Sequence, residues 1–423
     1  MSDDWTCSRP LRHRGLSGFL LLGLLALTAC GGASPSGSSS SSGSSSSSAT
    51  CSSIPTVTPT DSSGQLSKLP ASITAWYNGA DAPILKSAWS GWKPKGSPPY
   101  TVGISYGALT NPFQTGFFNA IQQDLKQSSL VKKVVAYSIP GSTDVQTQLQ
   151  QYNSLVQQGV DLIFMQPTGT AADQPAIEAA GKAGIPTVGI ISNVQSTYAL
   201  NVDPNEFVDA TRTTSILLKN MNGKGTVVEV HGIQGIQVDT DAFKAFQLML
   251  KSCPNVTVAG EVVGNFAPPA AKAAMLQFLS THPQKIDAVF QTASMGGAIM
   301  QAFQQAGRPV VPLDDIQAQA GSIGYWLQNK GRYHGAGAAS GPVGNANLTA
   351  RMGLRLLAGQ GPKLNTLFFQ NPLITDSNVS AFGQASWDIN TPGTVEPPSS
   401  AYLPASVLDN LFSHPENKQG TTI

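Results

Sequence analysis

From Tyr100 onward the chain alternates short apolar runs with longer stretches in which apolar residues recur every three or four positions. Short apolar runs suit buried strands, and a 3.6-residue recurrence suits helices with one buried face. The runs predict strands at 101–106, 133–138, 161–165 and 185–191. Between the second and third, residues 144–157 place Val145, Leu149, Tyr152 and Val156 on one face and glutamines on the other, and Gly159 ends that helix. The next predicted helix, 171–182, stops at Gly184, after which Pro186 favours extended backbone. The rhythm resumes after Asp203, with strands predicted at 226–230, 256–263, 288–291 and 310–313, each followed by helical sequence.

Strands separated by helices imply parallel sheets with helices on their faces. The fold class is therefore α/β: two Rossmann-like lobes in series, each built on a parallel sheet. No short-period repeat points to a solenoid or a propeller. In open α/β sheets ligands bind beyond the carboxyl ends of strands, so the residues that follow strands are the candidates for a site.

Composition adds a location. Arg12 and Arg14 precede an apolar run, 16–27, that is short for a membrane span and suits a secretory signal. Its end, Leu27-Thr28-Ala29-Cys30-Gly31, resembles a bacterial lipobox, which predicts a signal peptide over 1–29 and a lipid on Cys30. Acyl chains contribute about 0.8 kcal/mol per buried CH2, so two or more anchor a protein stably to a membrane. Serine and glycine dominate through Ser48, too polar to offset the entropy of ordering, and a tether is assigned to 30–66. Of the four cysteines, Cys7 lies in the leader, leaving Cys51 and Cys253 in an oxidising compartment. A disulfide between them and two free thiols both fit that spacing. No CxxC is present, so no metal or redox cofactor is expected. The formal net charge is +1 and basic residues form no stripe, which excludes a nucleic-acid partner.

After the first strand stands Asn111-Pro112-Phe113, and "IFMQPTGTAA", "AGIPTVGI", "FLSTHPQKIDAVF" and "AFQQAG" follow in order. With these motifs the chain from Tyr100 to about Asn378 resembles the type I periplasmic binding proteins of the ribose-binding class. The resemblance implies two lobes joined by a three-strand hinge, with crossings near Val202, Ser340 and Phe369. It also implies a monomer that captures a sugar or polyol for the permease of an ABC importer. In the family the loop asparagine bonds sugar hydroxyls and the aromatic after the proline stacks on the ring, roles that fall to Asn111 and Phe113. Phe266 in "GNFAPP" takes the place of a second-lobe aromatic, and Asp314 in "VVPLDD" that of a hydroxyl-accepting aspartate. Position at strand ends adds Tyr106, Gln166, Ser192, Gln237, Asp241, Thr292 and Ser340 as weaker candidates.

The chain departs from the family pattern at its charged positions. Ile191-Ser192-Asn193 replaces an Asp-Arg pair, the second-lobe arginine is missing in the region of Asp239, Asp241 and Ala242, and Thr292 and Ser340 replace an asparagine and a glutamine. Loss of two guanidinium forks removes much of the bidentate hydroxyl recognition, so the expected ligand is a different sugar, a polyol or something less hydroxylated.

Competing classes find little support. The five histidines are scattered, GxSxG, HExxH and GxxxxGK[ST] are absent, and His231 with Asp241 is the one conceivable acid–base pair. No catalytic residue is assigned. An exported chain without an N-terminal helix-turn-helix is not a repressor. Ligand capture for a chemoreceptor or sensor kinase leaves the same sequence signature as capture for transport. The assigned boundaries are an N-terminal extension at 67–99, a first lobe at 100–202 plus 341–368, a second at 203–340 plus 369–385, and a tail at 386–423. The extension carries Trp76, Trp89 and Trp92, a density that suits lobe packing or a carbohydrate platform. The proline-rich tail is expected on the surface, ending in a short helix over 404–412.

Overall fold

The computed structural model describes residues 50–141 and 143–423. The predicted signal segment, the Cys30 lipid acceptor and the tether through Ser48 lie outside the described residues. Among those described, no helix is long and apolar enough to cross a membrane.

Two six-stranded sheets carry the fold. The first contains β1 (Tyr100–Tyr106), β2 (Val131–Ser138), β3 (Leu162–Met165), β4 (Thr187–Ile190), β5 (Ala199–Pro204) and β11 (Thr366–Phe369). The second contains β6 (Lys224–His231), β7 (Asn255–Val263), β8 (Ala288–Gln291), β9 (Leu313–Ile316), β10 (Ala336–Ala338) and β12 (Leu373–Ile374). The first is ordered β11-β5-β4-β3-β1-β2 and wholly parallel; in the second, β12-β10-β9-β8-β6-β7, only β12 runs antiparallel.

Each sheet is covered on both faces because successive residues of a strand point to opposite sides. In β3, Leu162 and Phe164 join one first-lobe core while Ile163 and Met165 join the other. In β8, Val289 enters one second-lobe core and Ala288 and Phe290 the other. Double-sided burial explains why these strands read as continuous apolar runs.

The predicted strand at 310–313 forms three residues later, at Leu313–Ile316. Pro309 and Pro312 lack the N–H a ladder needs, so pairing begins only after Pro312, with Leu313 opposite Val289. β5, β10, β11 and β12 have no apolar run long enough to be read as strands.

The chain passes from the first sheet to the second after β5, returns after β10 into helix Pro342–Leu357, and passes again between β11 and β12. Two further segments span the same junction. Residues 50–66, which composition assigns to the tether, are packed: a disulfide joins Cys51 to Cys253, the Ser52 carbonyl accepts from Ser215, and Val57 lies on a second-lobe core. The extension then enters the first lobe, where Leu66, Leu69, Ile73, Tyr77, Ile84 and Trp89 are core residues. It also touches the first crossing itself, since Asn205 Nδ2 donates to the carbonyls of Trp76 and Asn78 at 2.7 and 3.0 Å.

The tail runs in the same sense. Ile389 and Val395 are buried in the second lobe, whereas Leu408, Leu411 and Phe412 are buried in the first. Between them the Glu396 carboxylate accepts from the N–H groups of Val343 and Gly344 at 2.9 and 3.1 Å, capping helix Pro342–Leu357 just after the second crossing. Gly341 makes room, because a Cβ there would stand 2.1 Å from Glu396 Oε2. Of the extension's tryptophans, Trp89 is buried and donates to the Tyr198 carbonyl, and Trp76 and Trp92 rest against the first-lobe core. None of the three lines the cleft described next, which removes the carbohydrate-platform reading.

Candidate functional site

The carboxyl ends of the two sheets face one another across a cleft of about 1430 Å³. Its first-lobe wall comes from the loops after β1, β3 and β4, and its second-lobe wall from those after β6, β7, β8 and β9.

Asn111 ends the β1 loop in extended backbone and caps helix Pro112–Gln127, its Oδ1 accepting from Gln114 N at 2.9 Å. Capping fixes the side chain at the rim, and its Nδ2 makes no hydrogen bond to the described residues. Phe113, on the first turn, is half-buried: its ring leans on Phe117, 6.4 Å away between centroids, and also lines the cleft. Phe266 faces it from the second lobe, also half-buried and packed on both second-lobe cores. Its ring covers Gly232, where a Cβ would stand 2.0 Å from Phe266 Cε1. Gln166 crosses the face of Gly107 in the same way, with Oε1 2.7 Å from the position of a Cβ. That oxygen is buried without a hydrogen-bond partner among the described residues.

Ser192, Gln237 and Asp241 also line the cleft. Gln237 Nε2 donates across the lobes to Asp203 Oδ2 at 2.9 Å and reaches Asp241 Oδ2 at 3.4 Å. Burial, then the like charge of Asp81, pushes the Asp241 carboxyl up to about 6, against the opposing pull of Gln237 and Lys244. Asp203 and Glu206 beside it are held well above the ordinary carboxylate range, first by burial and then by neighbouring carboxylates.

Four sequence candidates do not reach the cleft. Asp314 lies inside β9, not after it, because the strand starts three residues late. Its carboxylate is fully buried and accepts from Gln291 N at 2.6 Å and Thr214 Oγ1 at 3.3 Å. Tyr106 points into the first-lobe core, stacked on Phe117 with centroids 5.7 Å apart. Thr292 is buried, accepting from Gly232 N and donating to Asp239. Ser340 is buried at the second crossing, where it accepts from Asn345 Nδ2. His231 pairs with Asp239 at 2.9 Å, and not with Asp241. Replacing Asp314 with alanine strands the Gln291 N–H, and is expected to lower stability by about 1–3 kcal/mol with ligand affinity retained in the folded fraction, read by denaturant unfolding and titration.

Beside Phe266, the cleft holds residues that the sequence did not single out as ligand contacts. Ile191, Asn265, Ser294 and Gln317 line it with Phe266, and all five have positive φ, between 42° and 60°. Among the described residues only two other non-glycine positions, Ser52 and Asn222, share that conformation. Left-handed backbone costs such residues about 1–2 kcal/mol each, and strain of this kind tends to cluster where proteins hold ligands. Asn193, Gln195, Gln301, Gln319 and Asn390 add amides; among the described residues no arginine or histidine lines the cleft, and Lys272 is its one cation. Amides both donate and accept, so the wall suits a neutral ligand rich in hydroxyls.

The periplasmic binding protein domain family matches residues 102–361, more than half the chain and the stretch that supplies most of this cleft. The chain belongs to that family. A xylitol-binding protein of Mycolicibacterium smegmatis is 26% identical over 245 residues, covering 56% of this chain and 68% of that protein. The ribose import binding protein of Bacillus subtilis is 24% identical, with 50% and 68% covered. A Bacillus halodurans ABC transporter solute-binding protein with bound myo-inositol superposes with a TM-score of 0.59 at 16% identity, over 68% of this chain and 98% of that one. In this periplasmic binding domain Phe113 and Phe266 line the cleft from opposite lobes.

Buried carboxyls give the domain a pH signature. Burial raises Asp209 and Asp241 to about 6 and Asp315 and Glu229 to about 7. A carboxyl whose folded pKa lies above its unfolded value stabilises the fold below the unfolded pKa, and that stability is lost as pH rises through the folded pKa. The melting temperature is expected to fall between pH 5 and 8, and Asp315→Asn to flatten the fall, as thermal unfolding across that range would show.

Proposed function

We propose that this chain captures a neutral sugar or polyol between its lobes and delivers it to the permease of an ABC importer, held at the outer face of a membrane by a lipid on Cys30. The supporting observation is the pairing of Phe113 and Phe266 on opposite banks of a cleft whose polar lining is mostly amides and hydroxyls, with Asp81, Asp241 and Lys272 its charged groups. Sugars and polyols present apolar C–H faces and polar edges, so an aromatic against a face and amides at the rim match both. The chain acts as a binding protein and not as an enzyme, in keeping with relatives described by what they bind.

The cleft exceeds the roughly 300–1,000 Å³ of a ligand site of ordinary size, a difference that lobe closure would remove. Closure on the ligand requires tighter binding to the closed form than to the open one. Gln237, which spans the lobes to Asp203, sits where that closure would be felt.

A thermal-shift screen tests the reading with xylitol, D-ribose, myo-inositol and D-allose beside a set of amino acids. A ligand at 100 times its Kd stabilises the folded chain by about 2.7 kcal/mol, so a sugar or polyol is expected to raise the melting temperature clearly. A rise with amino acids and none with sugars or polyols would overturn the ligand class. The anchor is tested separately: Cys30→Ala is expected to move the exported protein from the membrane to the soluble fraction.

A further inference from the structure

Asp81 and the loop 389–394 both fall outside the stretch matched by the family, yet both line the cleft. They stand at its two flanks. Asp81 belongs to the extension and lies close enough to Asp241, which Gln237 reaches, for its charge to raise that carboxyl; the tail loop accepts from Gln301 at Ile389 O and bridges Gln319 at Thr394.

Each flank is built into place. The Asp81 carboxylate pairs with Lys244, whose Nζ also donates to the Gly79 carbonyl and lies over the Phe207 ring. The Asp81 side chain nevertheless keeps 62% of its exposure, so its carboxylate has room for a second donor. On the other flank the tail docks through its backbone: Ala320 N donates to Gly393 O, Val395 N to Ala318 O, and Gln301 Nε2 to Ile389 O. Gly321 and Gly324 admit it, since a Cβ at either would come within 2.7 Å of tail backbone. Asp388 then folds the loop, accepting from Asn390 N and Thr391 N. This leaves Asn390 exposed at the cleft, its side-chain amide without a hydrogen bond to the described residues.

We propose that these appended segments are specificity elements of the binding site: Asp81 and Asn390 bond the edges of the ligand from either flank, and the two walls limit it to one sugar or polyol unit. A carboxylate at one end and a free amide at the other recognise hydroxyl groups at opposite ends of a small neutral molecule. The same walls stand where a second sugar unit would have to leave the cleft. The inference rests on the sugar or polyol reading of the site.

Calorimetric titration of the mature chain, with xylitol, D-ribose, myo-inositol, D-allose and the disaccharides xylobiose and maltose as probes, tests it. The wild-type chain is expected to bind at least one single-unit probe and neither disaccharide. Asp81→Ala and Asn390→Ala are each expected to weaken that binding at least fivefold. Asp81→Asn, which keeps the side chain's size, should weaken it in the same direction, and melting temperatures of the free variants confirm that they fold. Equal affinity for disaccharides, or affinities within twofold of wild type in the folded variants, overturns the flank assignment while leaving the sugar reading intact. Failure of every probe to bind the wild-type chain removes the sugar reading and this inference with it.

Discussion

Replacing Phe113 with alanine is expected to weaken ligand binding by about 1–3 kcal/mol, roughly 5- to 150-fold in Kd. The ring stands on the first turn of helix Pro112–Gln127, half-buried, with Phe117 behind it and the cleft in front. Truncation removes the surface offered to a ligand's C–H face but leaves Phe117, Ile121 and Leu125 buried beneath. Affinity should therefore fall much more than stability. Phe266→Ala should lose comparable affinity and more stability, since its ring packs on both second-lobe cores. Calorimetry with the ligand found by thermal shift, beside thermal unfolding of each variant, separates the two effects. Wild-type affinity in folded Phe113→Ala would remove this residue from the site.

The largest expected change in stability comes from opening the disulfide. Cys51 and Cys253 are 202 positions apart, so the link removes much of the freedom of the unfolded chain. Its loss in Cys51→Ser/Cys253→Ser is expected to cost about 2–5 kcal/mol. The extension would keep its first-lobe core contacts through Tyr77, Ile84 and Trp89, while its second-lobe end would be held only by contacts such as Ser52 with Ser215 and Val57 with its core. Denaturant unfolding of the oxidised chain and the double variant measures the difference. Coincident midpoints would mean that those contacts hold the segment without the covalent link.

Both predictions depend on parts of the structure that the sequence exposed to very different degrees. β1, β3 and β8 were legible because parallel strands buried on both faces must be apolar throughout. Asn111 and Phe113 were legible because Asn-Pro directly after a strand both starts a helix and sits at the ligand edge. β9 was misplaced because Val310 and Val311 supply the apolar signal of a strand, whereas pairing waits for the residue after Pro312. That shift carried Asp314 into the core and left Gln317 in the cleft. The lining amides gave no signal, since a glutamine in a loop looks alike whether it faces solvent or a ligand. Ile191, Asn265, Ser294 and Gln317 were hidden for a further reason: left-handed backbone announces itself in sequence mainly through glycine, and none of these is glycine.

Alternation of apolar runs and amphipathic stretches was enough, by itself, to determine two parallel α/β lobes and to place the binding edge at the carboxyl ends of their strands. That information is local, carried by residues near one another in the chain. Only the tertiary structure decided which cysteine alternative holds, which strand-end side chains turn toward the gap, and that two appended segments cross the hinge to wall its flanks. Those outcomes depend on contacts between residues up to hundreds of positions apart, such as Cys51 with Cys253 and Tyr77 with Thr366, and no periodicity along the chain encodes them.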